Sequence, residues 1–185
     1  MRRSSVMKLL SLVLTTTLGG TVLLQAGCAF YRVEQGRNLV AASSAFSVAP
    51  PDAEFHLLLV GDSTAVGTGA SSPRTSVAGR LSAKFPRMSI VNLGVNGAVF
   101  TDVVKQLTSA PTNRFDAVLI LAGGNDVLRI TAEGELRADV NAAADRAAEM
   151  APLVIFMPSG NVGNAPFFSL PFSWLKFSLA SLPLS

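Results

Sequence analysis

Four apolar runs of strand length, spaced by stretches with helical periodicity, constrain this chain more than any other feature. They fall at residues 57–60, 88–93, Ala117–Ala122 and 153–157. Their apolar residues are mostly consecutive rather than alternate, so such strands must be covered on both faces. Between them, Val77, Leu81 and Phe85 recur at helical spacing and stop at Pro86. Phe100, Val103, Val104 and Leu107 share one face of a second helix, and Leu136, Val140, Ala144 and Ala147 mark a longer third. Pro158 closes the fourth run. This order predicts an α/β domain with a parallel sheet between helices. Ligands of such sheets bind beyond the carboxyl ends of the strands. Ser63, Gly97 and Asn125 all follow strand ends.

The chain ahead of this domain has a different character. Arg2, Arg3 and Lys8 form a positive leader, and no charge then occurs until Arg32. The layout predicts a signal peptide or N-terminal membrane anchor over 1–30, a linker over 31–53 with Pro50-Pro51 near its end, and the folded domain over 54–185. Residues 9–30 are long enough to cross a bilayer core of about 30 Å. Gly19-Gly20 and the run Thr15-Thr16-Thr17 weaken that span. Ala26-Gly27-Cys28 resembles a bacterial lipoprotein cleavage site, with Cys28 as the lipid attachment point, although Gln25 stands where Leu is usual. An uncleaved anchor, a lipoprotein and an ordinary cleaved signal remain open. All three predict an extracytoplasmic domain, membrane-tethered in the first two cases.

The same segment explains the charge. The net +3 arises from three basic groups within residues 1–28, and the remaining 12 basic residues balance the 12 acidic ones. The sequence pI of about 9.5 therefore predicts no nucleic-acid partner, and no basic stripe with interleaved aromatics occurs. A lone cysteine allows no internal disulfide.

Gly61-Asp62-Ser63 directly follows the first apolar run, and Gly123-Gly124-Asn125-Asp126 directly follows the third. A serine nucleophile needs donors for the oxyanion of its tetrahedral intermediate. The amides of Ser63 and Gly97 and the side chain of Asn125 are the candidates. The pairing of these motifs, with Asn92-Leu93-Gly94-Val95-Asn96-Gly97 between them, resembles the SGNH, or GDSL-type, hydrolase family over about residues 56–165. The resemblance implies a flavodoxin-like three-layer α/β/α sandwich. It also implies hydrolysis of acyl or acetyl esters, of a small molecule, lipid or glycan, without metal or organic cofactor. Ser63 would be the nucleophile, Ser63, Gly97 and Asn125 the oxyanion hole, and Asp62 a support for the loop. Asp126 is expected to cap the turn into Val127-Leu128, and Asp102 to open the second helix. A nucleotide-binding module is disfavoured, because residues 61–69 hold neither a P-loop nor a dinucleotide-binding glycine pattern.

One element of the family pattern is missing. Its last block, Asp-x-x-His, supplies the catalytic base, and the only histidine here is His56. Seven residues of extended chain separate His56 from Ser63 by roughly 23 Å, whereas a base must come within about 3.2 Å of its proton. Residues 150–185 carry one charge, Lys176, and the apolar side chains Phe167, Phe168, Phe172 and Trp174. These observations predict a C-terminally incomplete domain. Truncation or frameshift, completion by a second chain, and a short form whose tail packs on the sheet or the membrane are the three readings. The alternative to an impaired esterase is an inactive binding or scaffolding protein of the envelope.

Overall fold

The computed structural model describes residues 2–112 and 114–158. The chain divides into two compact units, Met1–Asn38 and Leu39–Ser185. The first consists of most of one helix, α1, Arg2–Ala42, whose last four residues belong to the second unit. Leu12, Leu14, Leu18, Val22, Leu23, Leu24 and Phe30 are all exposed on it. Such an apolar stretch is compatible with a signal sequence or a membrane anchor. The stretch Leu12–Ala42 is long and apolar enough to cross a membrane, by length and composition alone. The threonine run does not break the helix, because each hydroxyl bonds back along it. Thr16 Oγ1 donates to Leu12 O at 2.9 Å and Thr17 Oγ1 to Val13 O at 2.8 Å.

The expected linker over 31–53 requires correction. Residues 31–42 continue α1, and Val48 forms an antiparallel bridge with Ile90. The polar half of α1 is held by side-chain pairs at helical spacing. Gln35 Nε2 donates to Tyr31 Oη at 2.7 Å, and Arg37 lies 3.6 Å from Glu34.

The second unit holds a four-stranded parallel sheet, β1 (Phe55–Gly61), β2 (Met88–Asn92), β3 (Ala117–Ala122) and β4 (Leu153–Pro158), in the order β2-β1-β3-β4. Around it lie α2 (Ser63–Val66), α3 (Val77–Lys84), α4 (Phe100–Ser109), α5 (Gly124–Arg129) and α6 (Glu133–Met150). On one face Leu58, Val60, Val118 and Ile120 pack with Val103 and Leu107 of α4 and Ala143 and Ala147 of α6. On the other, Leu57, Leu59, Ile90, Leu119 and Leu121 pack with Ala65 of α2 and Ala78 of α3. The result is the three-layer α/β/α sandwich expected from the alternation. β1 leads outward to β2, and the chain then crosses to β3 on the other side of β1. The C-terminal end of β1 therefore lies at the switch point where a doubly wound sheet opens its crevice. Residues of β4 are less covered than the other strands: Leu153, Ile155, Phe156 and Met157 are exposed.

Candidate active site

The site begins with the way β1 ends. Gly61 has φ +140°, and a Cβ there would stand 1.9 Å from the Leu121 carbonyl oxygen. Only glycine lets the two strands meet this closely. The buried Gln106 of α4 holds the turn from behind. It accepts from Gly61 N at 2.7 Å and donates to Gly61 O at 3.0 Å. Asp62 N then donates to Leu121 O at 2.8 Å. Its carboxylate, buried, accepts from Thr64 N at 2.8 Å and so caps α2. Ser63 is therefore the first residue of a four-residue helix rather than part of an open loop. The helix closes at Gly67, φ +86°. Among the described residues, neither the hydroxyl nor the amide of the half-buried Ser63 has a hydrogen-bond partner.

The second loop is pressed against this helix. The buried Asn92, last residue of β2, donates from Nδ2 to Ala65 O at 2.8 Å and accepts at Oδ1 from Gly94 N at 3.0 Å. Val95 N donates to Gly61 O at 3.0 Å. A Cβ on Gly94 would stand 2.7 Å from the Ala65 methyl. Asn96 Oδ1 accepts from Thr68 Oγ1 at 2.5 Å, and Asn96 Nδ2 donates to Ser43 Oγ at 3.2 Å. These bonds fix Gly97, at φ +78°, beside the end of β1. Among the described residues its amide has no acceptor, while its carbonyl accepts from Arg129 Nη2 at 2.8 Å.

β3 supplies the third group. Gly123, at φ +113°, turns the chain into α5. Asn125 Nδ2 donates to Ala98 O at 2.9 Å, which ties it to the Gly97 loop. A primary amide carries two N–H groups, so one remains to donate elsewhere. Asp126 does not cap the turn into Val127-Leu128. It is buried within α5 and accepts from Phe100 N at 3.3 and 3.2 Å, anchoring the start of α4. Burial pushes its carboxyl above the ordinary range, against the opposing pull of the Phe100 amide. Asp102 lies in the first turn of α4 as expected. There Lys105, at 2.8 Å, holds its carboxyl below the ordinary range.

The three predicted groups thus stand on neighbouring strand ends, and their loops are hydrogen-bonded to one another. The other candidates lie elsewhere. His56 is exposed at the opposite end of β1, beside Asp116, with Nδ1 and Oδ2 3.4 Å apart. Cys28 is exposed on α1 in the other unit. Phe167, Phe168, Phe172 and Trp174 fall outside the described residues. Asn92, Gln106 and Arg129 were not anticipated. Their partners lie 27, 45 and 32 residues away, and only a polar residue at a strand end or on an apolar helix face hinted at the first two. Beside Ser63 an open recess of about 260 Å³ runs between α2 and the turn Pro73–Thr75 that precedes α3.

The fold is a parallel α/β sandwich with a serine, a left-handed glycine and an asparagine beyond neighbouring strand ends. The chain belongs to the GDSL-like lipase/acylhydrolase family, whose model matches residues 59–179. Among solved structures, a member of the lipolytic protein G-D-S-L family from Veillonella parvula DSM 2008 is 15% identical. The match covers 68% of this chain and 70% of that one with a TM-score of 0.50, a likeness of fold. Axe2, an acetylxylan esterase from Geobacillus stearothermophilus, is 22% identical over 69% of this chain and 68% of its own, with a TM-score of 0.48. No curated protein matches the chain significantly.

Proposed function

We propose that this chain is a serine ester hydrolase in which Ser63 is the nucleophile. The amides of Ser63 and Gly97 and the side chain of Asn125 receive the oxyanion. What supports this is that, among the described residues, the Ser63 hydroxyl and the amides of Ser63 and Gly97 have no hydrogen-bond partner and Asn125 keeps one N–H to spare, all three residues following the ends of neighbouring strands. Attack of Ser63 Oγ on an acyl carbonyl forms a tetrahedral intermediate, and its collapse expels the alcohol and leaves an acyl-serine for water to cleave. Each oxyanion donor contributes about 3–4 kcal/mol to such a step. Asp62 acts by capping α2, which aims the Ser63 amide into the site. No metal or organic cofactor enters this scheme. The substrate is an acyl or acetyl ester of the envelope, with the domain extracytoplasmic and tethered through α1, either as an anchor or through lipid on Cys28.

Among the described residues the Ser63 hydroxyl has no hydrogen-bond partner. His56 is the only histidine, and β1 separates it from Gly61 by about 17 Å. Loss of the base in a serine triad lowers turnover on the order of 10⁶-fold. The chain is therefore expected to turn over esters slowly unless a base is supplied. Hydrolysis of p-nitrophenyl acetate tests this, with the rate of Ser63→Ala subtracted at each imidazole concentration. Imidazole should raise the Ser63-dependent rate, and Asn125→Ala should lower it about 10²- to 10³-fold. Rapid turnover without imidazole would contradict the missing base. The same position of His56 favours a second reading, an inactive binding or scaffolding domain. That reading requires no Ser63-dependent rate at any imidazole concentration.

A further inference from the structure

We infer that Ser43, directly beyond α1, is a positioning residue of the oxyanion hole, so that the segment entering the domain from α1 braces the site. This rests on Gly97 being an oxyanion donor. To receive an oxyanion its amide must stay free of internal acceptors, and among the described residues it is. Such an amide is not aimed by a bond of its own. Gly97 has φ +78° and, as a glycine, the least backbone restraint of any residue. Its direction is therefore set by its neighbours. On the preceding side the neighbour is Asn96, whose carbonyl lies in one peptide plane with the Gly97 N–H.

Asn96 is gripped at both atoms of its side-chain amide. Oδ1 accepts from Thr68 Oγ1 at 2.5 Å, and Nδ2 donates to Ser43 Oγ at 3.2 Å. Ser43 Oγ also lies 3.0 Å from Thr68 Oγ1, and it donates its own proton to Val40 O, in the last turn of α1, at 2.8 Å. One half-buried hydroxyl thus ties the end of α1 to the loop after α2 and to the loop after β2. Its proton is spent on the helix, and its lone pairs remain for Asn96 and Thr68. A methyl group in its place holds neither. The chain beyond Ser43 fastens the same region. Ser47 Oγ accepts from Asn92 N at 3.0 Å, and Val48 exchanges two backbone bonds with Ile90, at 3.0 and 2.8 Å. Phe46 and Val48 pack on the core face that holds Leu57, Ala65 and Ile90. Residues 39–48 belong to the same compact unit as the sheet. A loose linker would leave Asn96 Nδ2 without this acceptor, whereas the braced entry supplies it.

The test makes two measurements on the full chain in lipid nanodiscs: amide hydrogen–deuterium exchange, and the Ser63-dependent, imidazole-assisted hydrolysis of p-nitrophenyl acetate. Ser43→Ala removes the hydroxyl, Ser43→Thr keeps it, and Thr68→Val removes the other bond to Asn96. Val95 N is bonded to Gly61 O and Ala98 N to Val95 O, so both amides report on the loop around Gly97. In Ser43→Ala and Thr68→Val they should exchange several-fold faster, while the amides of β3 keep their wild-type rates. Hydrolysis should fall about 10- to 100-fold, the scale of loss for a misplaced catalytic group. Ser43→Thr should show wild-type exchange and hydrolysis. Unchanged loop exchange in Ser43→Ala, or faster exchange spread equally over β3, would overturn the brace. So would a loss shared by Ser43→Thr, or a wild-type rate of hydrolysis in Ser43→Ala. The nucleophile fails separately. A wild type with no Ser63-dependent rate, whose loop still loosens in Ser43→Ala, would reject the catalytic reading and retain the brace.

Discussion

Gly61 joins the strand to the site, and its side-chain position is occupied by the Leu121 carbonyl oxygen 1.9 Å away. Gly61→Ala combines a backbone clash with a positive φ of 140° that an L side chain resists. Urea denaturation should show a loss of at least about 3 kcal/mol, and a variant as stable as the wild type would mean the two strands do not meet here. Asp126 makes a pH-dependent contribution of opposite sign to a surface carboxylate. Its folded-state pKa is raised by burial above 3.8, so the fold holds the proton more tightly than the unfolded chain does. Its contribution is then full below that ordinary value and declines as pH rises through the raised one. Asp126→Asn keeps an oxygen for Phe100 N and removes the titration. The stability of the wild type relative to this variant should fall as pH rises above the ordinary carboxyl value of 3.8, and a constant difference would refute the shift. Ser63, Gly97 and Asn125 were legible because strand ends are legible. Gln106 was not, since its partner at Gly61 is 45 residues away and its one local mark, a polar residue on an apolar helix face, does not name that partner.

The helices differ in how clearly they were written. α4 carries an apolar face interrupted by Gln106, and Val103 and Leu107 are fully buried on it. Leu107→Ala should cost about 2–5 kcal/mol by cavity formation. Gln106→Ala, one residue away, should cost about 1–3 kcal/mol by leaving Gly61 N without its acceptor. Chemical denaturation measures both, and a neutral Gln106→Ala would show the clamp to be incidental. α6 presents Ala143, Ala147 and Met150 as its buried residues. Leu136 and Val140 are only partly covered, because small side chains let the helix approach the sheet. α2 could not be read from periodicity, since four residues complete little more than one turn. Its mark was the cap, Asp62, which the sequence offered as part of a motif rather than as a helix start. The polar end of α1 was read as linker for a related reason: residues 31–42 lack an apolar stripe, and pairs such as Glu34 with Arg37 sustain the helix instead.

At the scale of the whole chain, the β2-β1-β3-β4 order turns separate motifs into a site, because it sets the loop after β1 between those after β2 and β3. Alternation of apolar runs and helices pointed to a parallel sheet, and the antiparallel contact of Val48 with Ile90 left no trace in the pattern. The central proposal is that Ser63 is a nucleophile served by the amides of Ser63 and Gly97 and by the side chain of Asn125. The most direct measurement is intact-mass and peptide mass spectrometry of the full chain after exposure to a fluorophosphonate, with and without imidazole, beside Ser63→Ala. The account predicts one adduct, located on Ser63, that forms slowly alone, faster with imidazole, and never in Ser63→Ala. An unmodified Ser63 under both conditions, or an adduct that persists in Ser63→Ala, would contradict it.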